Sequence, residues 1–291
     1  MKFQDDKYIK SFSCWNQLLI MMYGQLSGSD SLRELIYITT AHAPKSYHST
    51  IIDLCLNLFW WANFRKTKAG VKMHTLYDVV TQIPTFLHIT EAKVNDMNAM
   101  DEIPYEPNAY YIFDRGYFDL ARLFTINLIG SNFVIRERSN LKYEVVDGEA
   151  LIESPDNILY DQTIRLTGQQ TKERYAALLR RVGYYSVEHR RTFTYITNNF
   201  EISAKQVALL YKNRWQVELF FKWIKQHLHI TSFWGITENA VRIQIFSAIT
   251  AYCLVAIIEH DLKLNRSTFD VLRIFSMSLL DKTPIRELFK R

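Results

Sequence analysis

Cysteine is scarce. Cys14, Cys55 and Cys253 are the only three in 291 residues, odd in number, far apart and set in apolar sequence. That excludes a disulfide scaffold and a four-cysteine zinc site, and it points to a reducing compartment. The opening MKFQDDKYIK has neither the apolar run nor the small-residue cleavage site of a secretion signal. The longest nearly uncharged apolar stretch, Ile245 to Ile258, has 14 residues, short of the roughly 20 that span a bilayer. The sequence therefore predicts neither a secreted nor a membrane-spanning chain. Internal repeats and low-complexity tracts are also lacking. The 8 histidines form no HExxH pair, so none is assigned to zinc.

Apolar material, by contrast, is plentiful. Hydrophobic residues make up 48% of the chain, enough for one large domain or two modest ones. Lys plus Arg number 35 against 30 for Asp plus Glu, a net charge of +5 that admits an anionic partner without requiring one. Local clusters are more informative. Arg65, Lys66, Lys68 and Lys72 face no nearby acid, Arg136 and Arg138 flank one strand end, and Lys222, Lys225, His227 and His229 follow Glu218. Such patches suit phosphate contacts that are salt-sensitive and carry no base specificity, although each also reads as solvated surface.

The pattern from Phe12 to Thr40 predicts two short helices, a compact prefix that either contacts DNA or closes a core. Apolar runs at Thr50–Trp61 and Val71–Val80 and the segment TFLHITEA after Pro84 predict a three-strand meander. A short helix around Val94 to Glu102 and a strand over Ala109–Asp114 follow. RGYFDLARLFTINLIG then predicts an amphipathic helix stopped by Gly130, and SNFVIRER another strand. KYEVV, TIRLTG and FTYITN mark a β-rich stretch up to Asn198. Ser203 is placed to cap the longest helical pattern in the chain, which is interrupted at Ser232–Gly235. Helices over Glu238–His260 and Ser267–Phe275 complete the reading.

Two acids stand out. Asp114 ends an apolar strand, where α/β folds expose ligand-binding groups, though a strand-end Asp also commonly caps the next helix. At 100° per residue Tyr211, Arg214, Glu218 and Lys225 fall within about 60° of one another on a helix otherwise lined by Trp215, Phe220, Phe221 and Ile224. A carboxylate flanked by cations on such a stripe can hold a divalent metal beside phosphate, or simply form ion pairs with its neighbours. Metal-assisted phosphoryl transfer needs acids from at least two elements, and Asp114 with Glu218 meets part of that need.

The spacing Tyr211-x2-Arg214-x3-Glu218-x6-Lys225 resembles the YREK signature of bacterial insertion-sequence transposases of family four. Asp114-Arg115-Gly116-Tyr117 resembles their second acidic motif. The resemblance extends over Thr50 to Glu287, with Phe12 to His48 similar to their helical N-terminal part. It implies an α/β fold: a ribonuclease-H-like mixed sheet with a β-rich insertion at about 139–200, a short helical N-terminal prefix over 1–47 and C-terminal helices, with 48–291 the catalytic domain. It also implies an Asp, Asp, Glu triad that binds Mg2+, with Mn2+ as a substitute, and that cleaves and joins DNA strands. Asp114 and Glu218 would be the second and third acids and metal ligands, with Tyr211, Arg214 and Lys225 handling DNA phosphates. The implied partners are double-stranded DNA at transposon ends and target sites and further copies of the chain on that DNA. The implied location is the cytoplasm, at the nucleoid.

The first acid departs from this pattern. Family members place Asp-Ser-Thr at the first core strand, and here the sequence reads Tyr47-His48-Ser49-Thr50. His48 occupies the acid's position, and the prefix is short, as an internal deletion ending near His48 would leave it. Asp53 is the nearest substitute, yet an odd offset along a strand points it to the opposite face. Three readings follow: a transposase, active or silenced by loss of the first acid; a DNA-binding remnant that inhibits an intact transposase; and a metal-dependent nuclease that cleaves without joining.

Overall fold

The computed structural model describes residues 44–54, 58–65, 68–148, 156–228, 230–264, 266–277 and 283–289; the expected helical prefix, Cys14 and Cys55 lie outside them. The chain divides into two units. One comprises the described parts of Ala41–Ile51 and Lys72–Leu219, the other those of Ile52–Val71 and Phe220–Arg291.

The first unit is built on a mixed sheet. Its strands are β1 (Lys45–Leu54), β3 (Lys68–Asp78), β4 (Pro84–Glu91), β5 (Tyr110–Phe113), β6 (Asn132–Arg136), β7 (Tyr143–Asp147), β8 (Ile158–Leu166), β9 (Leu179–Ser186) and β10 (Arg191–Thr197); the short β2 (Asn63–Arg65) pairs with the first residues of β3. The sheet order is β3-β1-β5-β6-β10-β9-β8-β7, with β4 on the other side of β3. β1, β5 and β6 run parallel, whereas β6 onward through β10, β9, β8 and β7 is antiparallel. The connection from β5 to β6 is the helix α1 (Leu120–Leu128), the crossover that parallel neighbours require.

Strict alternation on the central strands divides the core into two layers. Tyr111, Phe113, Phe133 and Ile135 face one side, where Leu120, Leu123 and Ile126 of α1 cover them. Ile112 and Val134 face the other, where Val207, Ala208 and Tyr211 of α3 (Ala204–Lys212) pack. Between β8 and β9 lies the short helix α2 (Gln169–Arg174).

Several expectations shift in detail. β1 begins at Lys45, five residues before the expected start, and ends at Leu54. The segment expected to be helical at Val94–Glu102 forms only a 3-10 helix over Asn98–Glu102. The long helical pattern after Ser203 is two helices, α3 and α4 (Trp215–His227), because the chain turns at Asn213–Arg214. There the Arg214 N–H bonds to the Tyr211 carbonyl and the Gln216 N–H to that of Asn213.

In the second unit α5 (Glu238–Asp261), α6 (Thr268–Met277) and α7 (Ile285–Leu288) follow the later turns of α4. α5, 24 residues long, has the length and apolarity of a membrane span, but nine of its residues are buried within the fold, among them Gln244 and Ser247. Gln244 accepts the Trp234 N–H at 3.0 Å and donates to the Ser232 carbonyl at 2.8 Å, a contact pattern of a core helix. Phe220 and Trp223 of α4 meet the Tyr252 ring edge-on at 4.9 and 5.1 Å. Cys253 is largely buried, and that burial pushes its thiol pKa up to about 12, so it behaves as a packing residue.

Candidate active site

Parallel pairing brings the first two candidate positions together. Tyr47 on β1 lies opposite Phe113 on β5, so the next step along both chains sets His48 beside Asp114. Asp114 leaves β5 with extended backbone and enters a 3-10 turn, Arg115–Tyr117, that its side chain does not cap. Capping of α1 falls instead to Asp119, whose Oδ1 accepts the Arg122 N–H at 3.1 Å. The carboxylate of Asp114 is thereby left to face the site, and its Oδ1 accepts the Tyr211 hydroxyl at 3.3 Å. Burial, then the charge of Asp114, pushes the Tyr211 phenol up to about 12, so the hydroxyl keeps its proton to donate.

Glu218 enters from the first turn of α4. Its Oε1 accepts Arg214 Nη1 at 2.5 Å, and Arg214 also sits over the Tyr211 ring at 5.8 Å. Ser46 Oγ donates to the Arg214 carbonyl at 3.4 Å, tying the turn between α3 and α4 to β1. The break in the helix thus serves the geometry, since Tyr211 reaches Asp114 from α3 while Glu218 approaches from α4. Sequence reasoning missed Ser46, because a serine in a strand carries no signal of such a role.

His48 completes the cluster. Its Nε2 lies 3.3 Å from Glu218 Oε1, and the Ser49 N–H donates to its Nδ1 at 2.7 Å. An imidazole that accepts on Nδ1 carries its proton on Nε2 when neutral, so the ring donates toward Glu218. Burial and the Arg214 guanidinium hold the His48 pKa below its ordinary value, against the opposing pull of Glu218 and Asp114. On the neighbouring position Ser49 Oγ donates to Asp96 Oδ1 at 2.8 Å, and Lys72 Nζ lies 3.0 Å from the same oxygen. These contacts fasten β1 just past His48.

The remaining candidates fall elsewhere. Asp53 is exposed and Lys225 is half-buried; both belong to the second unit, where burial lowers the Lys225 pKa and the charge of Asp53 opposes that shift. His48, Asp114, Tyr211, Arg214 and Glu218, by contrast, assemble in the first unit.

A mixed sheet with parallel strands β1, β5 and β6, an antiparallel extension and helices on both faces has the architecture of a ribonuclease-H-like fold. Comparison with known proteins agrees. A transposase DDE domain matches residues 49–254, and a domain of unknown function matches residues 1–51. A Sinorhizobium fredii protein named as transposase y4zB is 38% identical over 234 residues, covering 79% of this chain and 63% of that protein. A Geobacillus stearothermophilus protein named as a transposase for insertion sequence element IS5377 is 31% identical, covering 71% of this chain and 54% of that one. The chain thus spans less than two thirds of the length of these curated relatives. A piggyBac transposase synaptic complex with hairpin DNA, solved by cryo-EM, shares the fold with a TM-score of 0.51 at 12% identity, over 86% of this chain and 56% of that chain. The chain belongs to the transposase DDE domain family.

That family implies a divalent metal ion, usually Mg2+. The donors present do not fit a two-ion site. Such a site needs carboxylate oxygens bridging two hard cations, and the position beside Asp114 holds an imidazole whose N–H is directed at Glu218. Among the described residues no group of three or more His, Cys, Asp or Glu is disposed to hold a metal ion.

Proposed function

We propose that this chain binds the ends of an insertion sequence through a transposase domain over 48–291 but does not itself cleave or join them. Asp114 and Glu218 are the second and third acids of the triad, and Tyr211, Arg214 and Lys225 serve the phosphates of the DNA end. The observation that carries this reading is His48 Nε2 at 3.3 Å from Glu218 Oε1. The ring sits where the first acid would be and turns a donor toward the third. Without a negative oxygen there, no step through a metal pair is available to the unaltered chain.

In this state the side chains act as a binding surface. Arg214 neutralises the Glu218 carboxylate through Nη1 and keeps its Nε without a hydrogen-bond partner among the described residues, a donor suited to a phosphate oxygen. Phosphate contacts set register, and end-sequence preference then rests on contacts to base edges.

The test is a Mg2+-dependent cleavage and strand-transfer assay on DNA carrying the element's ends. The unaltered chain is expected to stay at background and the His48→Asp variant to cleave. Adding Glu218→Gln to that variant abolishes cleavage, and His48→Asn gives no rescue. Cleavage by the unaltered chain that Glu218→Gln removes would overturn the proposal, because another residue would then be supplying the missing acid.

A further inference from the structure

Four arginines cluster where β6, β9 and β10 meet, and their partners sort them into two kinds. Arg180 and Arg181 are spent on structure. Arg180 makes a two-pronged contact with Asp161 and donates to the carbonyls of Asn199 and Ile202. Arg181 is forked onto Glu137, donates to Gln162, and packs over the rings of Tyr143 and Tyr160 at 5.0 and 4.4 Å. Each of these charges is cancelled by a carboxylate.

Arg136 and Arg191 are different. Neither is ion-paired among the described residues; both guanidiniums lie over the Phe193 ring, at 5.2 and 4.5 Å. Arg136 lies opposite Tyr195 in the β6–β10 ladder, and Arg191, Phe193 and Tyr195 alternate onto one face of β10, which α3 covers at Tyr195 and leaves open at Arg191. The aromatic row continues inward: Phe193 stacks on Tyr195 at 6.3 Å with 5° between the planes, Tyr195 meets Tyr211 at 4.7 Å, and the Tyr211 hydroxyl bonds Asp114. The His189 ring stands edge-on to Phe193 at 5.7 Å.

Two like charges held over one ring repel each other, and the ring's negative face only partly offsets this. A guanidinium keeps its charge at any working pH and presents a planar fork of donors, the shape that matches phosphate oxygens. Phe193 spreads and orients the two forks, and Arg191 is exposed to receive a ligand.

We propose that Arg136, Phe193 and Arg191 form a phosphate ladder that receives the DNA backbone on the sheet face leading to Asp114. The ladder reads no bases; it sets the line along which DNA runs to the site. This rests on the DNA-binding reading above and extends it to a surface outside the cluster around Asp114 and Glu218.

The test is the salt dependence of binding to a labelled duplex of about 30 base pairs, by fluorescence anisotropy with the full chain. Each phosphate contact contributes about 0.9 to the slope of log K against log salt. The exposed Arg191→Gln variant is expected to lower that slope by about 1, and Arg136→Gln with Arg191→Gln by about 2, equally for unrelated sequences. Arg191→Lys keeps most of the slope, and Arg165→Gln, at an exposed pair with Glu144, leaves it unchanged. Circular dichroism confirms folding, with Arg191→Gln alone deciding the matter if the double variant melts. An unchanged slope in Arg191→Gln, in a chain that binds DNA normally, overturns the ladder and leaves the DNA reading intact. A parent chain that binds no duplex at all overturns both.

Discussion

His74 is fully enclosed, with its Nε2 3.0 Å from Thr90 Oγ1 and its Nδ1 without a hydrogen bond. Asp96, Lys72, His88 and the stacked Tyr47 ring face it, with Asp96 Oδ1 at 3.9 Å. Burial dominates, and the pKa falls from 6.5 to about 4 despite the pull of Asp96. The sign of the consequence follows from proton counting. Between about pH 6.5 and 4 the unfolded chain binds a proton that the folded chain refuses, so stability is complete above that window and declines as pH falls through it. The expected loss is roughly 3 kcal/mol, reached near pH 4. Urea denaturation across pH 7 to 4 checks it, and His74→Gln is expected to flatten this part of the profile. An unaltered slope in that variant would assign the acid sensitivity to other groups. At the same scale, helical spacing set Tyr211, Arg214 and Glu218 on one stripe, and the structure brings those three together with Asp114. The direction of Glu218 was not legible in that spacing, because it depends on which partner fills the space opposite, and only the paired strands put His48 there.

Helix α3 carries the Tyr211 hydroxyl to Asp114, and its position depends on its first turn. Ser203 Oγ accepts the Gln206 N–H at 3.2 Å, and Gln206 Oε1 accepts the Ser203 N–H at 2.8 Å, a reciprocal cap. Ser203→Ala is expected to cost about 1 kcal/mol of stability, and Ser203→Thr to recover most of it, as read by urea midpoints. Equal midpoints for the two variants would mean that packing of Val207 and Ala208 alone holds the helix. This cap was legible in the sequence, as were β5, β6, α1 and α5, because alternation and helical spacing were clean there. β9 was not. Leu179-Arg180-Arg181-Val182-Gly183 shows no alternation, and its arginines become tolerable in a sheet only when Asp161 and Glu137 neutralise them from neighbouring strands. The break between α3 and α4 was hidden for the opposite reason, since the apolar spacing runs through Asn213–Arg214 without interruption and the turn is specified by its contacts to β1.

From β5 and β6 toward β7, burial falls outward. β5 and β6 are flanked by paired strands on both sides and covered by α1 on one face and α3 on the other, and Ile112, Phe113, Phe133, Val134 and Ile135 are all at 0% exposure. β7 ends the sheet, pairs only with β8, and leaves Val145 and Val146 47% and 44% exposed. Opening a strand requires breaking its ladder and wetting its apolar face, so local stability should follow the same gradient. Hydrogen–deuterium exchange is therefore expected to find the amides of β5, β6 and β10 slowest, exchanging only through global unfolding, and those of β7 fastest among the strands of this sheet. The prediction bears on function because Asp114 directly follows β5 and Arg136 of the phosphate ladder stands on β6, two of the slow strands. A site on such strands keeps its geometry while the antiparallel extension breathes. If the β7 amides exchanged as slowly as those of β6, the extension would be part of the same cooperative unit, and strand position would not explain the order of opening. If instead β5 exchanged early, the juxtaposition of His48 with Asp114 would be transient, and the reading of a site closed by His48 would lose its footing.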